Sequence, residues 1–287
     1  MKQQVLKIAI QKSGRLTEKS LQLLRNCGID IPAESRKLKA SASNFPIELY
    51  FLRDDDIPEY VQDGIADLGI LGENVLLEKK AAVETVMPLG FAKCKLSLAV
   101  PRNEQYEGLN YWEGKKIATT YTNIISNFLN KNNINAEIHS ISGSVEIAPG
   151  IGLAQGICDI VSTGSTLLSN GLKAVEVVLN SQAVLISNQN LTEEKQQILD
   201  KLLFRIRAKQ KAASNKYILL NAPDSKIDEI CALLPGMKSP SVLPLREKGW
   251  SSLHSVVQEN QFWEVIDQLK QAGAEGILVL PVEKMIV

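Results

Sequence analysis

The stretch from Glu146 to Leu167, EIAPGIGLAQGICDIVSTGSTL, constrains the fold more than any other part of the chain. A short apolar run, Ile157 to Val161, is interrupted only by Asp159 and gives way to Ser162, Thr163, Gly164, Ser165 and Thr166 ahead of Leu167 and Leu168. A run of this length, followed by a hydroxyl- and glycine-rich turn and then helix formers, predicts a strand feeding a turn that opens a helix. Such a turn offers unpaired backbone N–H groups, side-chain hydroxyls and the positive end of a helix dipole, which together suit a phosphate. Gly164 lets the backbone approach an anion closely. Ser162 or Thr163 acting only as a helix cap is the competing reading, and the turn alone does not separate the two.

The N-terminal region repeats the pattern. Val5 to Ile10 predicts a strand, Gln11 to Leu16 a basic turn containing Lys12, Gly14 and Arg15, and Thr17 the cap of a helix reaching about Cys27, where Gly28 stops it. Ile47 to Leu52 predicts another strand, followed by Arg53, three aspartates and a helix opened by Pro58. Lys12, Arg15 and Arg53 therefore stand at strand C-termini, where open α/β sheets place ligands, although most surface Lys and Arg are simply solvated. Gly64 to Gly72 (GIADLGILG) echoes Gly156 to Gly164 (GICDIVSTG), each expected after a helix of similar length. The echo suggests two similar α/β lobes with corresponding strand ends facing across a cleft. Asp67 and Asp159 share a place in it, and each can equally serve nearby backbone N–H groups.

Lys95 to Val100 and Ala183 to Ser187 read as the crossings between lobes. This divides the chain into a first lobe (1–94 with 182–213), a second lobe (95–181) and a C-terminal domain (214–287). In the second lobe the strand Lys116 to Thr119 ends in another hydroxyl-rich turn, Thr119 to Thr122, also suited to phosphate. The last region orders its elements βαββαβ, as in a ferredoxin-like module.

At 287 residues the chain exceeds one ordinary core, so two or three domains are expected. Its 32 Lys plus Arg balance 32 Asp plus Glu, which argues against nucleic acid as the main partner. No stretch is long and apolar enough for a signal peptide or a membrane span, so the expected location is cytoplasmic. Cys27, Cys94, Cys158 and Cys231 lack paired spacing, and two histidines offer little for a histidine-based metal site.

Five motifs spread from end to end, Ile8 to Leu16, Arg53 with Asp56-Ile57-Pro58, Ala66 to Gly72, Glu146 to Thr166 and Ile277 to Lys284, resemble those of the ATP phosphoribosyltransferases in their long form. The resemblance implies an α/β chain with a two-lobed, periplasmic-binding-protein-like catalytic part and a ferredoxin-like regulatory domain. It implies transfer of phosphoribose from phosphoribosyl pyrophosphate to ATP with Mg²⁺ present, feedback inhibition by histidine, and a homo-oligomer ranging from dimer to hexamer. Carried onto this sequence, Asp159, Ser162, Thr163, Gly164, Ser165 and Thr166 would bind phosphoribosyl pyrophosphate together with Glu146, which would also meet the metal through water. Lys12, Gly14, Arg15, Arg53 and Asp67 would serve ATP, with Lys12, Arg15, Arg53 and Glu146 in catalysis. Ser241 and Gly276 would mark the effector site. In place of the Asp that many members carry after the last glycine of the Ala66 to Gly72 motif, this chain has Glu73 and Asn74. A cytoplasmic two-lobed binding module without chemistry is the alternative.

Overall fold

The computed structural model describes residues 4–32, 38–161, 165–234, 236 and 239–286, with only the backbone of Ser165. The turn Ser162 to Gly164, the centre of the expected phosphate site, lies outside the described residues. The chain divides into two compact units, 1–199 and 200–287.

The continuous apolar runs of the first unit become strands with both faces covered, as a largely parallel sheet requires. In chain order its first part is β1 (Leu6–Gln11), α1 (Arg15–Asn26), β2 (Lys39–Ser41), β3 (Ile47–Leu52), α2 (Ile57–Gln62), β4 (Leu68–Gly72), α3 (Glu73–Lys79) and β5 (Glu84–Pro88). There follow β6 (Cys94–Pro101), β7 (Lys116–Thr119), α4 (Thr122–Lys131), β8 (Glu137–Ser140), β9 (Gly156–Val161), α5 (Ser165–Ser169), β10 (Leu172–Ser181) and β11 (Ala183–Ser187). One sheet runs β2-β3-β1-β4-β11-β5 and the other β10-β6-β9-β7-β8.

The two sheets share a plan. In the first lobe β1 lies parallel to β3 and β4, and β11 pairs antiparallel with β4. In the second, β7 lies parallel to β8 and β9, and β6 pairs antiparallel with β9. The echoing segments thus supply the corresponding strands β4 and β9, but out of register: Asp67 precedes β4, whereas Asp159 lies inside β9. The helix expected ahead of β9 is a single 3-10 turn, Val145–Ile147. Pro149, Gly150 and Gly152, the last at φ +76°, do not allow it to continue. Thr17 lies inside α1 instead of capping it, its hydroxyl donating back to the Gln11 carbonyl at 2.8 Å.

Separate cores hold the lobes. Ile57, Val61, Leu71 and Val75 pack with Val184 and Ile186 in the first, and Trp112, Ile117, Ile125 and Leu129 with Leu96 and Leu98 in the second. A long helix, α6 (Glu193–Ala213), leaves the first unit, and the division between units falls within it.

The second unit continues with β12 (Asn215–Pro223), α7 (Ile227–Leu233), β13 (Ser241–Pro244), β14 (Trp250–Gln258), α8 (Glu259–Gln271) and β15 (Glu275–Pro281). Its antiparallel sheet has the order β13-β14-β12-β15, the ferredoxin-like arrangement expected from βαββαβ. Ile218, Leu220, Leu253, Phe262 and Leu269 form its core. Among the described residues no helix is long and apolar enough to cross a membrane.

Candidate active site between the lobes

Parallel strands deliver their C-terminal ends to one edge of each lobe, and those edges frame a cleft. In the first lobe β1 and β3 end side by side: Gln11 pairs with Leu52, and the Lys12 N–H donates to the Leu52 carbonyl at 2.7 Å. Lys12 and Arg53 are the next residues on these two strands, and both are exposed. Gly14 adopts φ +99°, a left-handed conformation that favours glycine, and turns the chain into α1, whose first residue is Arg15. The structure therefore gathers Lys12, Gly14, Arg15 and Arg53 at one sheet edge.

In the second lobe, Ser144 holds a left-handed φ of +48° ahead of the 3-10 turn carrying Glu146. Glu146 is half-buried, and its charge reaches Asp159 on β9. Burial pushes the Asp159 carboxyl above its ordinary range; the Ile160 N–H, donating to Oδ1 at 2.7 Å, pulls it down, and Glu146 pushes it up again. Two carboxylates well separated in sequence thus become electrostatic neighbours. Their proximity depends on the turn geometry, which residue spacing did not reveal.

A carboxyl with a raised folded-state pKa binds its proton more tightly in the native chain than in the unfolded one. Stability then falls as pH rises through that window, and the full penalty is present at neutral pH. Asp159→Asn, which keeps the Oδ1 acceptor, is expected to melt a few degrees higher than the parent at pH 7, with the gap closing towards pH 4. Melting curves at the two pH values check this; a variant equal to or below the parent at pH 7 would refute it.

A cavity of about 580 Å³ opens between the lobes, lined by Asp54, Asp55 and Glu78 from the first and by Thr120, Tyr121, Ser140 and Ser142 from the second. That volume suits a small organic ligand. Burial raises the Asp54 carboxyl, and Asp55 adds to the effect. Burial also raises the Tyr121 phenol, with Asp159, Asp54 and Asp55 contributing, so Tyr121 stays a neutral hydroxyl at physiological pH.

Other expected residues lie elsewhere. Asp67 is buried at the N-terminal end of β4, away from the cleft edge, where its carboxylate accepts from the Lys7 N–H at 2.8 Å and pairs with Lys195 at 2.7 Å. The ATP role expected for it does not fit that position. The Thr119 to Thr122 turn has several of its donors engaged. Buried Thr119 donates to the Cys158 carbonyl at 2.6 Å, and Thr122, Asn123 and Ile124 all donate to the Glu78 carboxylate. Thr166 is exposed in the first turn of α5, and its carbonyl accepts from Ser169 and Asn170. Ser241 and Gly276 sit on opposite edge strands, β13 and β15, with two strands between them, roughly 14 Å apart at ordinary strand spacing. One chain alone does not bring them into a single pocket. Among the described residues no group of three or more His, Cys, Asp or Glu side chains is placed to hold a metal ion.

A family model described as ATP phosphoribosyltransferase matches residues 53–208, and one described as HisG, C-terminal domain matches 212–284. The ATP phosphoribosyltransferase of Cytophaga hutchinsonii is 59% identical over 282 residues, covering 98% of this chain and 99% of that protein. The Bacteroides thetaiotaomicron protein of the same name is 56% identical, covering 99% and 100%. Among solved structures, a chain of the Thermotoga maritima ATP phosphoribosyl transferase (HisG:HisZ) complex superposes with a TM-score of 0.60 at 28% identity, covering 71% of this chain and 96% of that one. A histidine kinase sensor domain similar to periplasmic binding proteins superposes at 0.50 with 10% identity, a likeness of fold alone. Identity above 50% with named relatives over nearly the whole chain, and models matching both units, show that the chain belongs to the ATP phosphoribosyltransferase family of pentosyltransferases.

Proposed function

We propose that this chain transfers phosphoribose from phosphoribosyl pyrophosphate to N1 of the adenine of ATP, giving 1-(5-phosphoribosyl)-ATP and pyrophosphate, the first step of histidine biosynthesis, in the cytoplasm. The observation that carries this reading is the cleft itself. Basic Lys12, Arg15 and Arg53 gather beyond the strand ends of one lobe, and Glu146 and Asp159 stand as electrostatic neighbours in the other.

In such a transfer the bond from the anomeric carbon to pyrophosphate breaks, its electron pair leaves with pyrophosphate, and N1 forms the new bond. The carbon acquires oxocarbenium character, so the protein's task is to align two polyanions and to neutralise the leaving group. Lys12, Arg15 and Arg53 supply the neutralising charge. The turn into α5, with Thr166, would hold the 5-phosphate, and Asp159 would orient that turn. Glu146 would bind the ribose hydroxyls. Two neighbouring carboxylates suit Mg²⁺ carried in by substrate phosphates better than a dedicated protein cage, and bound Mg²⁺ would add charge neutralisation on pyrophosphate. Histidine would act through the C-terminal unit. A pocket using both Ser241 and Gly276 needs a second copy, in keeping with a homo-oligomer of dimer to hexamer size.

The test is the absorbance change on mixing the protein with ATP, phosphoribosyl pyrophosphate, Mg²⁺ and pyrophosphatase, with and without histidine. Product formation that histidine suppresses is expected; binding of both substrates without product would replace the enzyme reading with that of a binding module. In the same assay Thr166→Ala is expected to raise the KM for phosphoribosyl pyrophosphate about tenfold, the loss of roughly one charge-assisted hydrogen bond, while that for ATP changes less than twofold. Equal effects on both substrates would count against the phosphate assignment.

A further inference from the structure

The short helix α3 belongs to the first lobe by its apolar face and to the second by its polar face. Val75 is buried in the first lobe's core, with Leu76 packed against it. One turn apart on the same helix, Asn74 and Glu78 reach across the cleft. The Glu78 carboxylate accepts from the Thr122 hydroxyl at 3.1 Å, the Asn123 N–H at 2.9 Å and the Ile124 N–H at 3.0 Å. Asn123 Nδ2 returns to the Glu78 carbonyl at 2.9 Å. Asn74 donates to the Tyr121 hydroxyl at 3.2 Å, and its Oδ1 accepts from Ser181 at 2.9 Å. An alanine Cβ at Gly72 would run into Asn74 Oδ1, so the glycine keeps that side chain in place.

Helix N-termini are ordinarily capped from within their own segment. Here α4 has no side-chain cap of its own, and the cap arrives from the opposite lobe. The bonds involved are charge-assisted and lie at the edge of a solvent-accessible cavity, so water can take their place when the lobes part. That combination describes a reversible fastening, in contrast to an apolar seam whose opening would expose hydrophobic surface.

We propose that Glu78 is a positioning residue: by capping α4 across the cleft, it latches the two lobes in one relative orientation before any ligand binds. By filling this N-terminus with a carboxylate it also withholds the Thr122 hydroxyl and the Asn123 and Ile124 amides from phosphate. The latch stands independently of which reaction the cleft performs.

The experiment is a distance distribution by pulsed electron resonance on the full chain without ligand. Spin labels are attached through ketone-bearing residues replacing exposed Lys19 on α1 and Asn127 on α4, so that the native cysteines are untouched. A single narrow distribution is expected for the parent. In Glu78→Ala a longer-distance population should rise at least tenfold, and in Glu78→Gln, which keeps one acceptor oxygen, the rise should be intermediate. Hydrogen exchange at the Asn123 and Ile124 amides should quicken at least tenfold in Glu78→Gln. Distributions unchanged in both variants would overturn the latch. If Glu78→Ala alone loses its native circular dichroism, Glu78→Gln decides the matter by the same criterion.

Discussion

Lys195→Met is expected to destabilise the first unit by about 3–5 kcal/mol, the cost of removing one partner from a buried ion pair. Lys195, in the first turn of α6, meets Asp67 at 2.7 Å, and their side chains are only 20% and 6% exposed. Methionine retains most of the apolar stem, so the loss comes from the charge. Asp67 would be left with the Lys7 N–H as its remaining described donor, in a site too dry for water to compensate fully. For a unit of this size the loss corresponds to a fall in melting temperature of roughly 10 °C. Combining Lys195→Met with Asp67→Asn should recover part of it, because no uncompensated charge then remains buried. A single variant melting within a degree of the parent would show that the pair carries no such weight.

Gly156→Ala is expected to cost about 3 kcal/mol, at the upper end of the range for an overpacked core. A Cβ built at Gly156 comes to 2.5 Å from the Ala99 carbonyl oxygen and 2.5 Å from the fully buried Trp112 ring. The carbonyl belongs to β6, and Ala99 is the residue paired with Ile157 next to the glycine, so relief would require the β6–β9 ladder to shift. The ring is enclosed by Leu96, Leu98, Ile117 and Ile125 and has little room to turn. A urea unfolding midpoint reads the loss. Adding Trp112→Leu should restore only part of it, since the clash with backbone remains; full restoration would place the conflict wholly on the ring.

Much of the frame could be read from residues alone. β3, β7 and β11 fall at the expected bounds because short, mainly apolar segments flanked by turn residues leave few alternatives. The ten-residue β10 escaped notice. Its register against β6 slips between Ala174 and Glu176 and again between Val177 and Leu179, which blurs the two-residue alternation that announces a strand. Lys12 and Arg53 were legible as neighbours because parallel strands end together. Asp67 was misplaced because the echo aligned letters while the strands themselves are offset. Glu78 and Asn74, in ENVLLEKKA, look like ordinary polar residues on a surface helix; only the approach of a second lobe gives them partners.

The return of the chain to the first sheet as β11, after the second sheet is complete, also bears on how the protein is made. The second lobe's sheet is drawn from one continuous stretch, Cys94 to Ser181, and can pair completely once that stretch has left the ribosome. The first lobe begins synthesis earlier yet must wait, because β4 and β5 both pair with β11, which emerges last of the first unit's strands. During that interval β4, with nearly every residue destined for burial, presents a bare edge. The nascent first lobe is therefore the stage of biogenesis at which a chaperone has most to protect.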